Sequence, residues 1–202
     1  MDLSNIDLVI TLDSFLILKD VEVFRMDKLP EIKDIERLNA TIHSIRMNKR
    51  VSKILAKYLP KEHVHIYHQS ISLKDVFSDL SEKLHQADII ADTKSFYEDI
   101  LLREKNYPTY LGANVMVPHA LFTFAKKTGI EVAFLKHPIK HQGNQIQLIF
   151  LLALEMKRDD EMNLLFQFFN QIVSHEKYMQ QLLSSTNCDA FMQNLYSFKL
   201  LE

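Results

Sequence analysis

Residues Tyr110 to Ala120, YLGANVMVPHA, combine a turn, a short apolar run and a histidine, and the rest of the chain is best understood from them. Gly112 and Asn114 favour a tight turn because both residue types tolerate positive φ. The apolar run VMV that follows predicts a buried strand. Pro118 has no N–H to donate, so regular pairing should lapse there. We therefore expect His119 at a sheet edge or in a cleft.

A histidine in such a position is suited to accepting a phosphoryl group. Its ordinary pKa of roughly 6.5 leaves a neutral, nucleophilic ring nitrogen at pH 7. The transfer needs precise positioning, a hydrogen bond that fixes the tautomer, and cations or N–H groups around the phosphate oxygens, but no metal. On chemistry alone, a loop histidine that is simply hydrogen-bonded to a neighbouring carbonyl is the more frequent situation. Both interpretations of His119 are open at this point.

The longer run Leu101 to Ala120, LLREKNYPTYLGANVMVPHA, resembles the signature of the enzyme IIA (EIIA) domains of the mannitol/fructose type in the bacterial sugar phosphotransferase system. The order of elements from about Lys61 to the C-terminus fits the same family. The resemblance implies an α/β fold, with a mixed β-sheet flanked by helices on both sides. By position, His119 resembles the phosphorylated histidine, and Arg103 resembles the arginine that stabilises the phosphate.

Two positions depart from the family pattern. Family members usually carry a second histidine soon after the long apolar strand, whereas this chain has Met162, which can neither hydrogen-bond to a phosphate nor neutralise it. Ala120 stands where glycine often follows the phosphorylated histidine. These differences favour a regulatory or a structural role over an efficient phosphoryl relay, because a relay must bind phosphate and also release it promptly.

The first 60 residues contain two short apolar runs, DLVIT at 7–11 and VEVF at 21–24, and a long helical pattern from Pro30. DLVIT is a continuous apolar run, typical of a buried strand in a parallel sheet. This order of elements resembles the C-terminal part of an EIIB-like domain, of the kind that precedes the EIIA domain in BglG-type regulators containing PRD modules. We therefore expect residues 1–60 to be such a remnant and residues 61–202 to be an EIIA-like phosphoacceptor domain.

The composition sets broad limits on function. With 202 residues, 47% of them hydrophobic, the chain can form one domain and a smaller subdomain. A net charge of −2 indicates no direct binding of nucleic acid or of an anionic membrane. The lone Cys188, the acidic N-terminus and the lack of a long apolar segment predict a cytoplasmic location and no membrane span.

Other histidines do not predict a metal site. His63 and His65 alternate in HVHIYHQ, which we interpret as an edge strand with a polar face, since no carboxylate or cysteine is adjacent in sequence. His137 and His141 flank Pro138, which argues against a helical ligand pair. We predict neither a metal nor a cofactor.

Helix boundaries can be predicted from capping residues. The candidate N-caps are Ser72, Thr93, Asp159 or Asp160, Ser174 and Asn187. The run Gln147 to Met156 should be the central strand, because it is apolar on both faces and so needs helices on each side.

The leading functional hypothesis is a cytoplasmic EIIA-like module of a sugar-responsive transcription regulator, phosphorylated on His119 by the phosphocarrier protein HPr or by an EIIB domain. The first alternative is an EIIA domain that relays phosphate from HPr to an EIIB domain in sugar uptake. The second is a structural dimerisation module with a vestigial site. The expected partners are HPr, an EIIB domain and the other domains of a parent regulator. Because two strands are too few for a sheet, we expect them either to pack on the EIIA-like body or to pair across a dimer with a second copy of the chain.

Overall fold

The computed structural model describes residues 5–19, 21–26, 31–123, 125–156 and 160–200. The chain divides into two compact units, Met1–Arg50 with Lys199–Glu202, and Val51–Phe198. Pro30 and Asp159, which the sequence suggests as helix starts, lie outside the described residues.

The first unit contains a two-stranded parallel sheet. Its strands are β1 (Leu8–Thr11) and β2 (Glu22–Arg25), and Leu8 pairs with Glu22. The predicted parallel pairing is therefore confirmed. The predicted burial is wrong, because no residue of β1 is buried and Ile10 is 51% exposed. A continuous apolar run becomes a buried strand only where the sheet is covered on both faces.

Helix α1 spans Ile32–Tyr58, so it begins in the first unit and ends in the second. Pro60 follows its end, as the sequence predicts. Val51, Ile54 and Leu55 are buried, whereas Ile32 and Ile35 at the start of the helix are exposed. The start of this helix is thus less buried than its end.

The second unit is built on a five-stranded mixed sheet in the order β3-β6-β7-β5-β4. Strand β3 pairs parallel to β6, β5 pairs parallel to β7, and the β6–β7 and β4–β5 pairs are antiparallel. Strand β7, which contains the long apolar run, is third of five in this order, so the prediction of a central strand is confirmed. The strands are β3 (Val64–Tyr67), β4 (Tyr110–Gly112), β5 (Val115–Met116), β6 (Gly129–His141) and β7 (Asn144–Ala153).

Helices cover both faces of this sheet. Ile149 and Leu151 of β7 pack in one core with apolar side chains of the two helices that follow β3. Phe150, which points to the other face, packs on Phe169 with ring centroids 4.7 Å apart. This arrangement confirms the predicted fold class. The helices are α2 (Leu73–Gln86), α3 (Thr93–Asn106), α4 (Asp160–Ser174), α5 (Glu176–Leu183) and α6 (Cys188–Ser197), with a 3-10 turn at Lys61–His63.

Ser72 and Asn187 are N-caps, as predicted, but two other boundaries differ from the prediction. Asp92 rather than Thr93 caps α3, because its carboxylate accepts a hydrogen bond from the N–H of Ser95 at 2.7 Å. Ser174 does not start a helix. Its hydroxyl donates to the carbonyl of Gln171 at 2.7 Å, which completes the last turn of α4.

No helix in the described part of the chain is long and apolar enough to cross a membrane.

Candidate phosphoacceptor site

The turn between β4 and β5 is made by three successive residues with positive φ. Gly112, Ala113 and Asn114 have φ of 113°, 47° and 64°. The carbonyl of Asn114 accepts hydrogen bonds from the N–H groups of Gln147 and Leu148, at 2.8 Å and 3.1 Å. The predicted tight turn is confirmed, and its last residue connects the hairpin to the central strand.

Regular strand pairing ends at Met116, so the lapse expected at Pro118 is confirmed, but isolated backbone contacts with the central strand follow. Proline lacks an N–H but keeps its carbonyl, which accepts a hydrogen bond from the N–H of Leu152 at 2.9 Å. His119 then forms an isolated parallel bridge with Leu152. The histidine therefore lies beside the C-terminal end of the central strand, half-buried rather than on an open loop.

The hydrogen bond of the His119 ring fixes its tautomer. Nδ1 lies 3.0 Å from the carbonyl oxygen of Val117. A carbonyl oxygen can only accept, so Nδ1 carries the hydrogen, and in the neutral ring Nε2 keeps its lone pair. The ring packs edge-on against Phe166 of α4, with centroids 5.7 Å apart. The imidazole is thus held with Nε2 as its nucleophilic atom.

Burial lowers the pKa of His119 below its ordinary value, and the positive charge of Arg103 lowers it further. The hydrogen bond to Val117 and the negative charge of Glu104 act in the opposite direction and raise this pKa. Since the net shift is downward, the ring is neutral at pH 7, which is the state that phosphoryl transfer requires.

Arg103 lies in the last turn of α3 and is half-buried. Its Cζ is 5.4 Å from the ring centroid of Tyr107, and its Nε is buried without a hydrogen-bond partner among the described residues. An unpaired buried N–H group is costly in the free protein and is available to donate to an oxygen atom of a ligand. The structure thus brings the two residues predicted for the site close enough for the charge of Arg103 to lower the pKa of His119.

Residues 57–197 match the family described as phosphoenolpyruvate-dependent sugar phosphotransferase system, EIIA 2. The chain belongs to this family.

Two similar proteins of Bacillus subtilis (strain 168) are described as regulators. The transcriptional regulator ManR is 28% identical over 102 residues, which is 50% of this chain and 16% of ManR. The probable licABCH operon regulator is 28% identical over 145 residues, which is 70% of this chain and 22% of that protein. The chain therefore spans less than a quarter of the length of these two relatives.

Solved structures share the EIIA fold. The IIA mannitol domain of Escherichia coli has 19% sequence identity and a TM-score of 0.57, and the likeness covers 68% of this chain and 98% of that one. The nitrogen regulatory protein IIA-Ntr of Neisseria meningitidis has 18% identity and a TM-score of 0.59, with 70% and 99% covered.

Sequence reasoning missed three polar side chains of this EIIA domain that lie on α3 with Arg103 or contact that helix. Glu104 and Asp99 of α3 are buried acids, and His141 lies at the end of β6 with Nε2 3.5 Å from Glu104 Oε1. Asp99 Oδ2 accepts hydrogen bonds from the N–H groups of Phe122 and Thr123, both at 2.7 Å. Asp99 and Arg103 are four residues apart on one helix, so their shared face was a usable signal. The pairing of His141 with Glu104 crosses from β6 to α3 and has no local signal.

The predicted edge position of β3 is confirmed, and its histidines have a carboxylate partner that the local sequence did not show. Glu131 of β6 is buried, and its Oε2 lies 2.6 Å from Nε2 of His65. Nδ1 of His63 donates to the carbonyl of Ile130 at 3.0 Å. Within the described ranges, no group of three or more histidine, cysteine or acidic side chains is arranged to hold a metal ion.

Proposed function

We propose that this EIIA domain is the cytoplasmic phosphoacceptor module of a sugar-responsive transcription regulator, and that His119 receives the phosphoryl group. The donor is the phosphohistidine of HPr or the phosphorylated residue of an EIIB domain. The observation that carries the proposal is the hydrogen bond from His119 Nδ1 to the Val117 carbonyl, which leaves Nε2 as the nucleophilic atom. The similarity to ManR and to the probable licABCH operon regulator supports the regulatory context.

For HPr as donor, the transfer is an in-line displacement at phosphorus. The lone pair of His119 Nε2 forms a new N–P bond while the N–P bond of the donor breaks, and the donor nitrogen keeps the electron pair. The proton on Nδ1 stays in place, and the Val117 carbonyl stabilises the positive charge that develops on the ring. Arg103 offers its unpaired guanidinium nitrogen and its charge to the phosphate oxygens.

Exposed apolar side chains close to the site residues in sequence suit a docking partner. Leu102 and Tyr107 flank Arg103, Phe122 follows His119 by three residues, and Met156 follows Leu152 by four. All four are exposed, Phe122 to 72%. Large apolar and aromatic side chains are enriched in the central part of protein interfaces. We propose that HPr or an EIIB domain contacts this surface when it delivers the phosphoryl group.

Phosphorylation would then act as a switch by charge. A phosphoryl group adds roughly −1.5 to −2 charge at pH 7. His119 packs on Phe166 of α4, so the new charge would lie beside an aromatic surface of that helix and would change what can bind there. The neighbouring domains that respond would belong to the parent regulator, in which we propose residues 1–60 to be the end of an EIIB-like domain.

The alternative is phosphoryl relay from HPr to an EIIB domain. It is favoured by the likeness to the structure of enzyme IIAMtl in complex with phosphorylated enzyme IIBMtl from Escherichia coli, with 18% identity and a TM-score of 0.58. Met162 speaks against it, because no second histidine stands at that position to assist transfer. If His119 accepts no phosphate at all, the remaining function is a structural module that joins two copies of the chain.

The direct test is phosphorylation with enzyme I, HPr and labelled phosphoenolpyruvate. We expect label on the wild-type chain, background label on His119→Ala, and full label on the matched control His68→Ala, whose histidine is exposed in a loop. Label retained by His119→Ala would overturn the assignment of the acceptor. Absence of label on the wild-type chain, with HPr itself labelled, would favour the structural module.

A further inference from the structure

Glu104 is a buried carboxylate that follows Arg103 in α3. Among the described residues its hydrogen bonds go to Thr109, not to the His119 ring. We propose that Glu104 is a positioning residue for phosphoryl transfer, which sets the tautomer of His119 through Thr109 and Val117. The inference rests on the proposed function of His119. It adds a residue whose role is to hold the nucleophile rather than to contact the phosphate.

The connection consists of consecutive hydrogen bonds. Glu104 Oε2 accepts from the hydroxyl of Thr109 at 2.6 Å and from its backbone N–H at 3.1 Å. The carbonyl of Thr109 accepts from the N–H of Val117 at 3.0 Å. The carbonyl of Val117 then accepts from Nδ1 of His119, also at 3.0 Å. Glu104 thus holds Thr109, Thr109 holds Val117, and Val117 holds the His119 ring.

The members of this connection are shielded from water, so they have few alternative partners. Glu104 is 3% exposed, Thr109 is 6% exposed and Val117 is 2% exposed. A buried carboxylate without donors is strongly destabilising, so the Thr109 donors are bound firmly. His141 adds a third polar neighbour at 3.5 Å from the other carboxylate oxygen. Burial therefore makes the carboxylate a rigid anchor for Thr109.

The negative charge of Glu104 has a second, electrostatic effect that also favours attack by His119 on phosphorus. Because α3 presents Arg103 and Glu104 in succession, opposite charges act on His119, and Glu104 raises the pKa that Arg103 lowers. A negative charge near the ring also stabilises the positive ring that forms during attack on phosphorus. Loss of the carboxylate should thus weaken both the orientation of the ring and its nucleophilic attack.

The test compares Glu104→Gln and Thr109→Val with three controls. Glu98→Gln makes the same change at an exposed position of α3, and Thr109→Ser keeps the hydroxyl that Thr109→Val removes. The first measurement is the ¹⁵N NMR signature of His119 in the unphosphorylated protein, with His63 and His65 as internal references. The third control is the wild-type chain, which we expect to show the tautomer with hydrogen on Nδ1.

We expect Glu104→Gln and Thr109→Val to lower the fraction of this tautomer at His119 and to slow phosphoryl uptake from HPr on the order of tenfold, as the loss of one charge-assisted hydrogen bond predicts. Glu98→Gln and Thr109→Ser should match the wild type in both measurements. A change confined to His119, with His63 and His65 unmoved, separates positioning from general loss of structure.

Unchanged His119 resonances and an unchanged rate in folded Thr109→Val would overturn the inference, even if Glu104→Gln fails to fold. If the wild-type chain takes no label but the tautomer changes as expected, the positioning role stands and the proposed function fails. If the chain takes label and neither variant differs from its control, the proposed function stands and the positioning role is wrong.

Discussion

The two units of the chain give opposite outcomes for the same kind of sequence. DLVIT at 7–11 and the run from Leu148 to Ala153 are both continuous apolar stretches, and both form strands. In the second unit every side chain of that run is fully buried between helices. In the first unit Ile10 is 51% exposed and Phe15, in the following loop, is 90% exposed. Apolar sequence thus predicts a strand, but layers on both faces decide whether the strand is buried.

The largest expected loss of stability is that of Phe150→Ala, a truncation in the core of the second unit. Phe15→Ala is the matched change in the first unit. Phe150→Ala should lower the free energy of unfolding by about 3–5 kcal/mol, because it leaves a cavity against Phe169. Phe15→Ala should change it by less than about 0.5 kcal/mol, because the ring is in solvent. Urea titration of both variants checks this. A large loss for Phe15→Ala would mean that a partner, or a second copy, covers the first unit.

A smaller effect is expected where the second unit has no room for one added carbon. A Cβ at Gly129 would lie 2.5 Å from Cδ1 of Ile89, so Gly129→Ala must displace a core side chain. We expect a loss of about 1–3 kcal/mol in the same titration. Ser14→Thr adds one methyl group to an exposed side chain of the first unit and should be neutral. An unchanged free energy of unfolding for Gly129→Ala would show that the core near Ile89 adapts easily.

The smallest effect is expected for an ion pair of the first unit. Lys49 Nζ lies 2.5 Å from Asp7 Oδ1, but both side chains are about half exposed. Water and salt screen such a pair, so Lys49→Met should cost less than about 1 kcal/mol. Hydrogen exchange of the β1 and β2 amides measures the local effect, with Lys53→Met as a control. Extensive loss of protection in Lys49→Met alone would show that this pair is a main constraint on the small sheet.

The fold of the second unit could be predicted because its signals are local and periodic. Gly112 and Asn114 marked the turn, Ser72 marked a helix start, and the apolar run from Gln147 marked the central strand. The neighbours of His119 could be predicted only in part. Arg103 followed from the resemblance, whereas the roles of Glu104 and Asp99 depend on hydrogen bonds to loops that pattern and propensity do not specify.

Burial in the first unit could not be predicted for a related reason. The continuous apolar run of β1 and the helical periodicity at the start of α1 describe which side chains prefer an interior, not whether an interior exists. Ile10, Ile32 and Ile35 remain exposed in this chain. Whether residues 1–60 complete an EIIB-like sheet in a longer polypeptide stays a prediction.

The hydrogen bonds of Asp99 have a mechanical consequence. One carboxylate oxygen accepts hydrogen bonds from two successive backbone N–H groups, those of Phe122 and Thr123. The same helix carries Arg103 one turn later. The backbone at the exposed Phe122 is thus joined through Asp99 to the helix that carries Arg103. We expect a partner that docks on Phe122 to influence, through this connection, where the charge of Arg103 is placed.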